Sequence, residues 1–280
     1  MAKTRRFVQV DVFGTGPQSG NPVAVVLDAE GLDTAQMQRF AHWTNLSETT
    51  FVLPPTTDAT ADYRVRIFTP VAELPFAGHP TLGTCHAWLE AATAAVRDER
   101  IVQECGAGLV EIRRTPDGLA FAGPPLLRSG PLDDAALLSD VVAALGIERG
   151  DVLAAEWVDN GPGWIAILLG SAQQVLDLKP SFIDLDVGVV GPHAPGAPAA
   201  IEVRAFFPKD GSLVEDPVTG SLNASLADWL LRTDRLQAPY AARQGTALGR
   251  AGRVHITQDE AGTVWVAGQT VSVVEGVVRL

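Results

Sequence analysis

Val65-Arg66-Ile67-Phe68-Thr69-Pro70, followed by Glu73-Leu74-Pro75-Phe76-Ala77-Gly78-His79-Pro80, decides how the rest of the chain is read. The pattern predicts a short strand, a turn-rich loop and a helix opening at Gly78-His79-Pro80-Thr81, with Ala87, Trp88 and Leu89 as later helical positions facing a core. Pro80 suits the first turn, where a missing N–H costs nothing. The loop carries the interest, because the unpaired N–H groups and positive dipole end of a helix attract an anion.

The same arrangement returns late in the chain. Val203-Arg204-Ala205-Phe206-Phe207-Pro208 lies 138 residues beyond the first strand, and Thr219-Gly220-Ser221 lies 142 beyond Ala77-Gly78-His79. The difference of four predicts a longer loop, Lys209 to Glu215, in the second copy. A third echo sets Gly20-Asn21-Pro22-Val23-Ala24-Val25-Val26-Leu27 against Gly161-Pro162-Gly163-Trp164-Ile165-Ala166-Ile167-Leu168. Three matches in one order indicate a duplicated unit.

A chain of 280 residues fits two domains of that size. With 46% hydrophobic and 19% charged residues it can bury a real core. The net charge of −12 argues against nucleic acid as a partner, since phosphate binding wants a basic face. It leaves room for a small anionic substrate, which responds to the local field. Two cysteines, Cys85 and Cys105, give neither a disulfide framework nor metal-ligand spacing, and imply a reduced, cytoplasmic setting. Lys3, Arg5 and Arg6 resemble the charged start of a signal peptide, but Phe7 to Phe13 alternates and contains Asp11, so a strand is expected. No apolar run approaches the roughly 18 residues of a membrane span.

Gly14-Thr15-Gly16-Pro17-Gln18-Ser19-Gly20 resembles a dinucleotide fingerprint, yet Pro22 to Leu27 is a strand where the fingerprint needs a helix, so a hairpin is expected. Asp33 or Thr34 caps a helix carrying Met37, Phe40 and Ala41 and stopping near Trp43. Asn45 to Pro55 turns into a strand. Ile101 to Glu104, Leu109 to Arg113 and Leu119 to Phe121 are further strands, and Gly123-Pro124-Pro125 is a boundary. The expected halves are 1–122, to which the last residues of the chain are free to return, and 123–280. In the second, Asp133 to Leu145 is helical and stops at Gly146. Val187 to Ala199, rich in Gly and Pro, reads as an exposed loop, and strands close the chain. Many strands with one or two helices per half predict an α+β architecture of sheet wrapped on helix.

Glu48 stands beside Leu46, Phe51 and Val52. A carboxyl against an apolar strand is partly desolvated, which suits general acid/base work; the alternative is a solvent-facing or turn-capping residue. His79 either donates to a substrate oxygen or serves the turn. Asp216 and Ser221 either contact a substrate, with Ser221 also capping the helix, or do turn chemistry alone. His42, His86, His193 and His255 have no metal-ligand spacing and read as structural or surface residues. Gly220-Ser221 lacks the elbow of a serine hydrolase. If the halves are related by a pseudo-twofold, the two helix openings face one cleft and hold a small carboxylate.

Ser19 to Val26, Asn45 to Val52, Arg66 to Pro70, Glu73 to Thr84 and Glu215 to Ser221 together resemble the PhzF-like isomerase family of phenazine biosynthesis. The resemblance implies the diaminopimelate-epimerase-like fold: two pseudo-symmetric halves, each a barrel-like sheet around a central helix, in a protein that is commonly a homodimer. It implies Glu48 as the catalytic acid/base, His79, Asp216 and Ser221 as substrate contacts, and Gly78 and Gly220 as amide donors to a carboxylate. It further implies isomerisation of a dihydro-hydroxyanthranilate to its ketone tautomer, without metal or organic cofactor. The wider superfamily places one cysteine at each helix opening. Here those openings carry Gly78-His79 and Pro217, which argues against two-thiol racemisation and leaves a racemase without thiols, or a non-catalytic anion-binding protein, as alternatives. Leu222-Asn223-Ala224-Ser225 departs from the Ala-Asn-Gly type of run common after the serine, which leaves the substrate open.

Overall fold

The computed structural model describes residues 2–56, 60–92 and 99–280. The chain forms two compact units, Met1–Ala122 with Ala267–Leu280, and Gly123–Val266. In the first, β1 (Thr4–Val12) and β2 (Asn21–Val26) make an antiparallel pair, α1 (Thr34–Thr44) follows, and β3 (Glu48–Leu53) runs parallel to β2. Then come β4 (Tyr63–Phe68), β5 (Glu73–Leu74), α2 (Gly78–Ala91), β6 (Arg100–Cys105), β7 (Gly108–Thr115) and β8 (Gly118–Ala122).

The second unit holds β9 (Arg128–Pro131), α3 (Ala135–Leu145), β10 (Ala154–Asp159), β11 (Ile165–Leu168), α4 (Ala172–Asp177), β12 (Val187–Pro192) and β13 (Ile201–Lys209). It continues with β14 (Ser212–Asp216), α5 (Gly220–Arg232), β15 (Tyr240–Gln244), β16 (Gly252–Gln258) and β17 (Val264–Gly268). β18 (Thr270–Arg279) ends the chain, antiparallel to β1.

Each unit is organised on one helix. Every residue of α2 from Gly78 to Cys85 is buried, and the helix packs on β1, β2, β3, β8 and β18. An apolar stripe confined to one face is the mark of a surface helix; burial all round marks a central one. Gly83 sets the approach of helix to sheet, since a Cβ there would stand 2.3 Å from Val23 Cγ1. α5 buries Gly220, Leu222 to Ala227, Trp229 and Leu230 in the same way. An outer layer covers each sheet. Met37, Phe40 and Ala41 of α1 pack on Val26, Phe51, Leu53 and Phe68, while α3 and α4 place Leu138, Val142, Leu145 and Val175 on Ile165, Ile167, Val187 and Val189.

Side chains repeat as well as strands. Arg66 donates two hydrogen bonds to Glu73 and lies 5.1 Å over the Phe68 ring; Arg204 donates two to Glu215 and lies 4.9 Å over Phe206. The first pair sits near the surface. The second is buried, with Arg204 also donating to the carbonyls of Val175 and Leu178.

Local signals explain the helix ends. Asp33 caps α1 in a reciprocal box with Gln36, and Asp134 caps α3, which stops at Gly146 in the left-handed region (φ 69°). Two loop expectations are corrected. Lys209 to Glu215 is not a loop but the end of β13, a two-residue tip at Asp210-Gly211 and most of β14, with Lys209 paired to Ser212. Val187 to Pro192 is a buried strand, not an exposed loop. Its glycines mark close approach: a Cβ on Gly188 would stand 2.4 Å from Leu222 Cδ1, and one on Gly191 2.3 Å from the Ser171 carbonyl oxygen.

A carbonyl oxygen of the main chain cannot swing aside. Gly191→Ala is therefore expected to lower the unfolding free energy by about 1–3 kcal/mol, read as a shifted denaturant midpoint. Gly150→Ala, in open space, is expected to stay within about 0.5 kcal/mol of the parent.

Candidate active site

In the first unit the candidate residues converge on the opening of α2. Glu48 begins β3 in parallel register with Val23, its side chain 15% exposed. Its Oε2 lies 3.3 Å from Nε2 of the buried His79. His79 Nδ1 stands 3.4 Å from the Asn21 side-chain amide, also buried. Burial pushes the imidazole down to about 3, against the opposing effect of a backbone hydrogen bond at Pro22. The ring is neutral at working pH and keeps one N–H and one lone pair. Its Nε2 completes no hydrogen bond, so a polar group of a substrate has a buried imidazole nitrogen to meet. Ala77 holds the cap position of α2 and no side chain folds back on the first amides, those of Gly78 and His79.

In the second unit Asp216, Gly220 and Ser221 gather at the opening of α5. Thr219 takes the cap position, but its hydroxyl donates to Asp216 Oδ2 (2.6 Å) and caps no amide. The expectation that Ser221 caps this helix is corrected: it lies inside the first turn, and its Oγ accepts from the Trp164 indole N–H at 3.2 Å. Asn160 donates to the Ser221 carbonyl (2.9 Å). Both openings thus present amides that no capping side chain occupies.

Several residues escaped the sequence reading. Asn21 and Trp164 stand inside motifs whose pattern predicts only strand and turn there. Asp186 is the least expected. Thr49 pairs with Phe68 and Val187 with Phe206, so Asp186, 138 residues beyond Glu48, holds the matching strand start in the second unit. Burial, then Asp159 and Asp184, push its carboxyl up to about 6. Counting the repeat forward from Glu48 was the available signal.

The cysteines are elsewhere. Cys85 is buried within α2, its thiol pushed up to about 12 by burial, and Cys105 is half-buried on β6. His86 bonds with Thr270 and Ser272, and His193 pairs with the buried Glu202. Among the described residues no group of three or more side chains suits a metal ion, and no helix is long and apolar enough to cross a membrane.

A helix-centred α+β unit made twice, with a carboxyl against a neutral imidazole at one helix opening, belongs to the epimerase-like class of isomerase folds. The profile described as phenazine biosynthesis-like protein, PhzC-PhzF, matches residues 10–276, and the chain belongs to that family. It is 36% identical over 286 residues to a trans-2,3-dihydro-3-hydroxyanthranilate isomerase of Pseudomonas aeruginosa, covering 97% of this chain and 98% of the relative. It is 37% identical over 296 residues to the Schizosaccharomyces pombe protein named antisense-enhancing sequence 1, covering 96% and 97%. Among solved structures, a PhzF-family protein of Enterococcus faecalis superposes with a TM-score of 0.81 at 26% identity, covering 99% of this chain and all of that one. A hydroxyproline epimerase of Agrobacterium vitis shares the fold at a TM-score of 0.60 and 13% identity, over all of this chain and 92% of that one. The protein is an isomerase of the PhzF type.

The buried imidazole has a consequence for acid stability. Between the unfolded value of about 6.5 and the folded value of about 3, the unfolded chain binds the extra proton, so stability falls as pH drops through that window. His79→Gln is expected to remove on the order of 3 kcal/mol of the stability lost between pH 7 and 4, measured by denaturant unfolding across pH.

Proposed function

We propose that this isomerase moves a proton between two carbons of a small carboxylic acid, with Glu48 as the group that takes and returns it. The carboxylate accepts the proton from one carbon as the electron pair shifts into the adjoining unsaturation. The resulting carboxylic acid, free to exchange with solvent, then delivers a proton to the carbon at the far end. The product is an enol that relaxes to its ketone, and nothing is oxidised or reduced. The observation that carries this reading is a carboxyl, mostly shielded from water, set 3.3 Å from a neutral buried imidazole at a helix opening. His79 lies beside that carboxyl without competing charge and donates its N–H to substrate. The proposal includes the Gly78 amide as a donor to a carboxylate at the opening of α2 and, at the opening of α5, the Gly220 amide with Asp216 and Ser221 as contacts to polar groups.

The relative at 36% identity supports trans-2,3-dihydro-3-hydroxyanthranilate, or a close analogue, as substrate. The carbon-to-carbon transfer proposed for Glu48 needs no metal or organic cofactor. The same proposal includes a homodimer in a reducing cytoplasm.

Glu48→Gln removes the transferable proton while keeping the side chain's shape. Turnover of trans-2,3-dihydro-3-hydroxyanthranilate is expected to fall about 10²-fold or more, with ligand binding and melting temperature retained. Proton NMR in heavy water should show deuterium entering the product with the parent and not with the variant; full activity in the variant rejects the role.

A further inference from the structure

Gln244 ends β15, fully buried, and no role falls to it in the chemistry proposed above. Its amide is saturated. Oε1 accepts from the Thr219 backbone N–H (3.0 Å) and from Asn223 Nδ2 (2.8 Å). Nε2 donates to Thr219 Oγ1 (2.9 Å) and to the Asp216 carbonyl (3.2 Å). Chemistry fixes its orientation, since a flipped amide would turn its N–H groups toward two donors.

That orientation has a direction. Because the Thr219 oxygen accepts from Gln244, its single proton is left for Asp216 Oδ2, which it meets at 2.6 Å. A hydroxyl-to-carboxylate contact of that length is among the stronger protein hydrogen bonds. We propose that Gln244 is a positioning residue for substrate binding, acting through the Thr219 hydroxyl to hold the Asp216 carboxylate in place at the opening of α5. This rests on the reading that Asp216 contacts substrate.

The first unit carries the same brace without the relay. Gln103, 141 residues earlier and also fully buried, donates to Thr81 Oγ1 and accepts from the Tyr63 hydroxyl, both at 3.0 Å. Thr81 holds the helix position that Asn223 holds in the second unit, 142 residues on. Ala77 stands where the second unit has Thr219, so no hydroxyl there passes the orientation to a carboxylate. A buried glutamine thus steadies each central helix, and in the second unit alone a hydroxyl links it to an acid.

Gln244→Glu tests the direction, since it keeps the shape and replaces two donors by an acceptor. At about pH 8 the introduced carboxylate should take the Thr219 proton, raising KM for trans-2,3-dihydro-3-hydroxyanthranilate about 10-fold or more with kcat within about 3-fold of the parent. Toward about pH 5 the buried carboxyl regains its proton, donates to Thr219 again, and KM should return toward the parent value. Thr219→Val should raise KM at both pH values and Thr219→Ser should restore it. Gln244→Glu added to Thr219→Val should cost nothing further. Additive costs in the double variant, or a pH-independent KM in Gln244→Glu with the Thr219–Asp216 contact closed at both pH values, overturn the proposal.

A crystal structure of Gln244→Glu at each pH separates this proposal from the substrate assignment. The Thr219 Oγ1–Asp216 Oδ2 contact opening at about pH 8 and closing at about pH 5 supports the relay even if KM does not move, in which case the role of Asp216 is what fails. A contact that stays closed at both overturns the relay. If Gln244→Glu does not fold, the Thr219→Val and Thr219→Ser pair decides, with equal KM values for the two overturning the proposal.

Discussion

A central α-helix whose opening is buried still has to do something with the N–H groups of its first turn, and the structure depends on where that happens. In α2 and α5 no capping side chain meets them. In water such groups would be hydrated at little cost; held within a sheet-wrapped unit they form a ready site for an anion. The strands then supply what the helix cannot. β3 brings Glu48 to the opening of α2 in register with Val23, and the β13–β14 hairpin ends at Asp216 beside the opening of α5. Helix openings that attract charge and strand ends that carry acids are thus supplied by two kinds of element, a division the proposed function uses.

His79 shows how burial selects a role. An exposed histidine is a proton shuttle near neutral pH, but the residue here is held neutral by desolvation. It offers Glu48 a polar neighbour without a competing charge. A carboxylate facing an imidazolium would be held ionised; a neutral ring does not impose that, which is what the role proposed for Glu48 requires.

Much of this was legible before any coordinates. The repeat at offsets of 138 and 142 marked both strand–hairpin–helix modules, and Met37, Phe40 and Ala41 marked the face of α1 that is buried. What escaped has identifiable causes. Gly188 and Gly191 read as loop residues in the sequence because glycine punctuates loops, whereas here it admits Leu222 and the Ser171 carbonyl against a strand. Gln103 and Gln244 lie in strands remote in sequence from the helices they brace, and a buried amide leaves no periodic trace. Asp186 sits one residue ahead of the Val187 to Ala199 stretch, with no motif of its own to mark it. Ser221 looked like a cap because Gly-Ser before an apolar run resembles one, but the cap falls two residues earlier, where the Thr219 hydroxyl is already committed to Asp216.

The Arg66–Glu73 and Arg204–Glu215 pairs began as one bond written twice and no longer live in the same surroundings. The first has side chains 24% and 38% exposed, the second 7% and 11%. At the surface either partner can be lost for little, because water takes over the remaining charge. In the interior, losing one strands the other, and only a joint exchange of both is tolerable. Duplication therefore left one copy open to drift one residue at a time and locked the other behind a double step, an evolutionary ratchet set by burial alone.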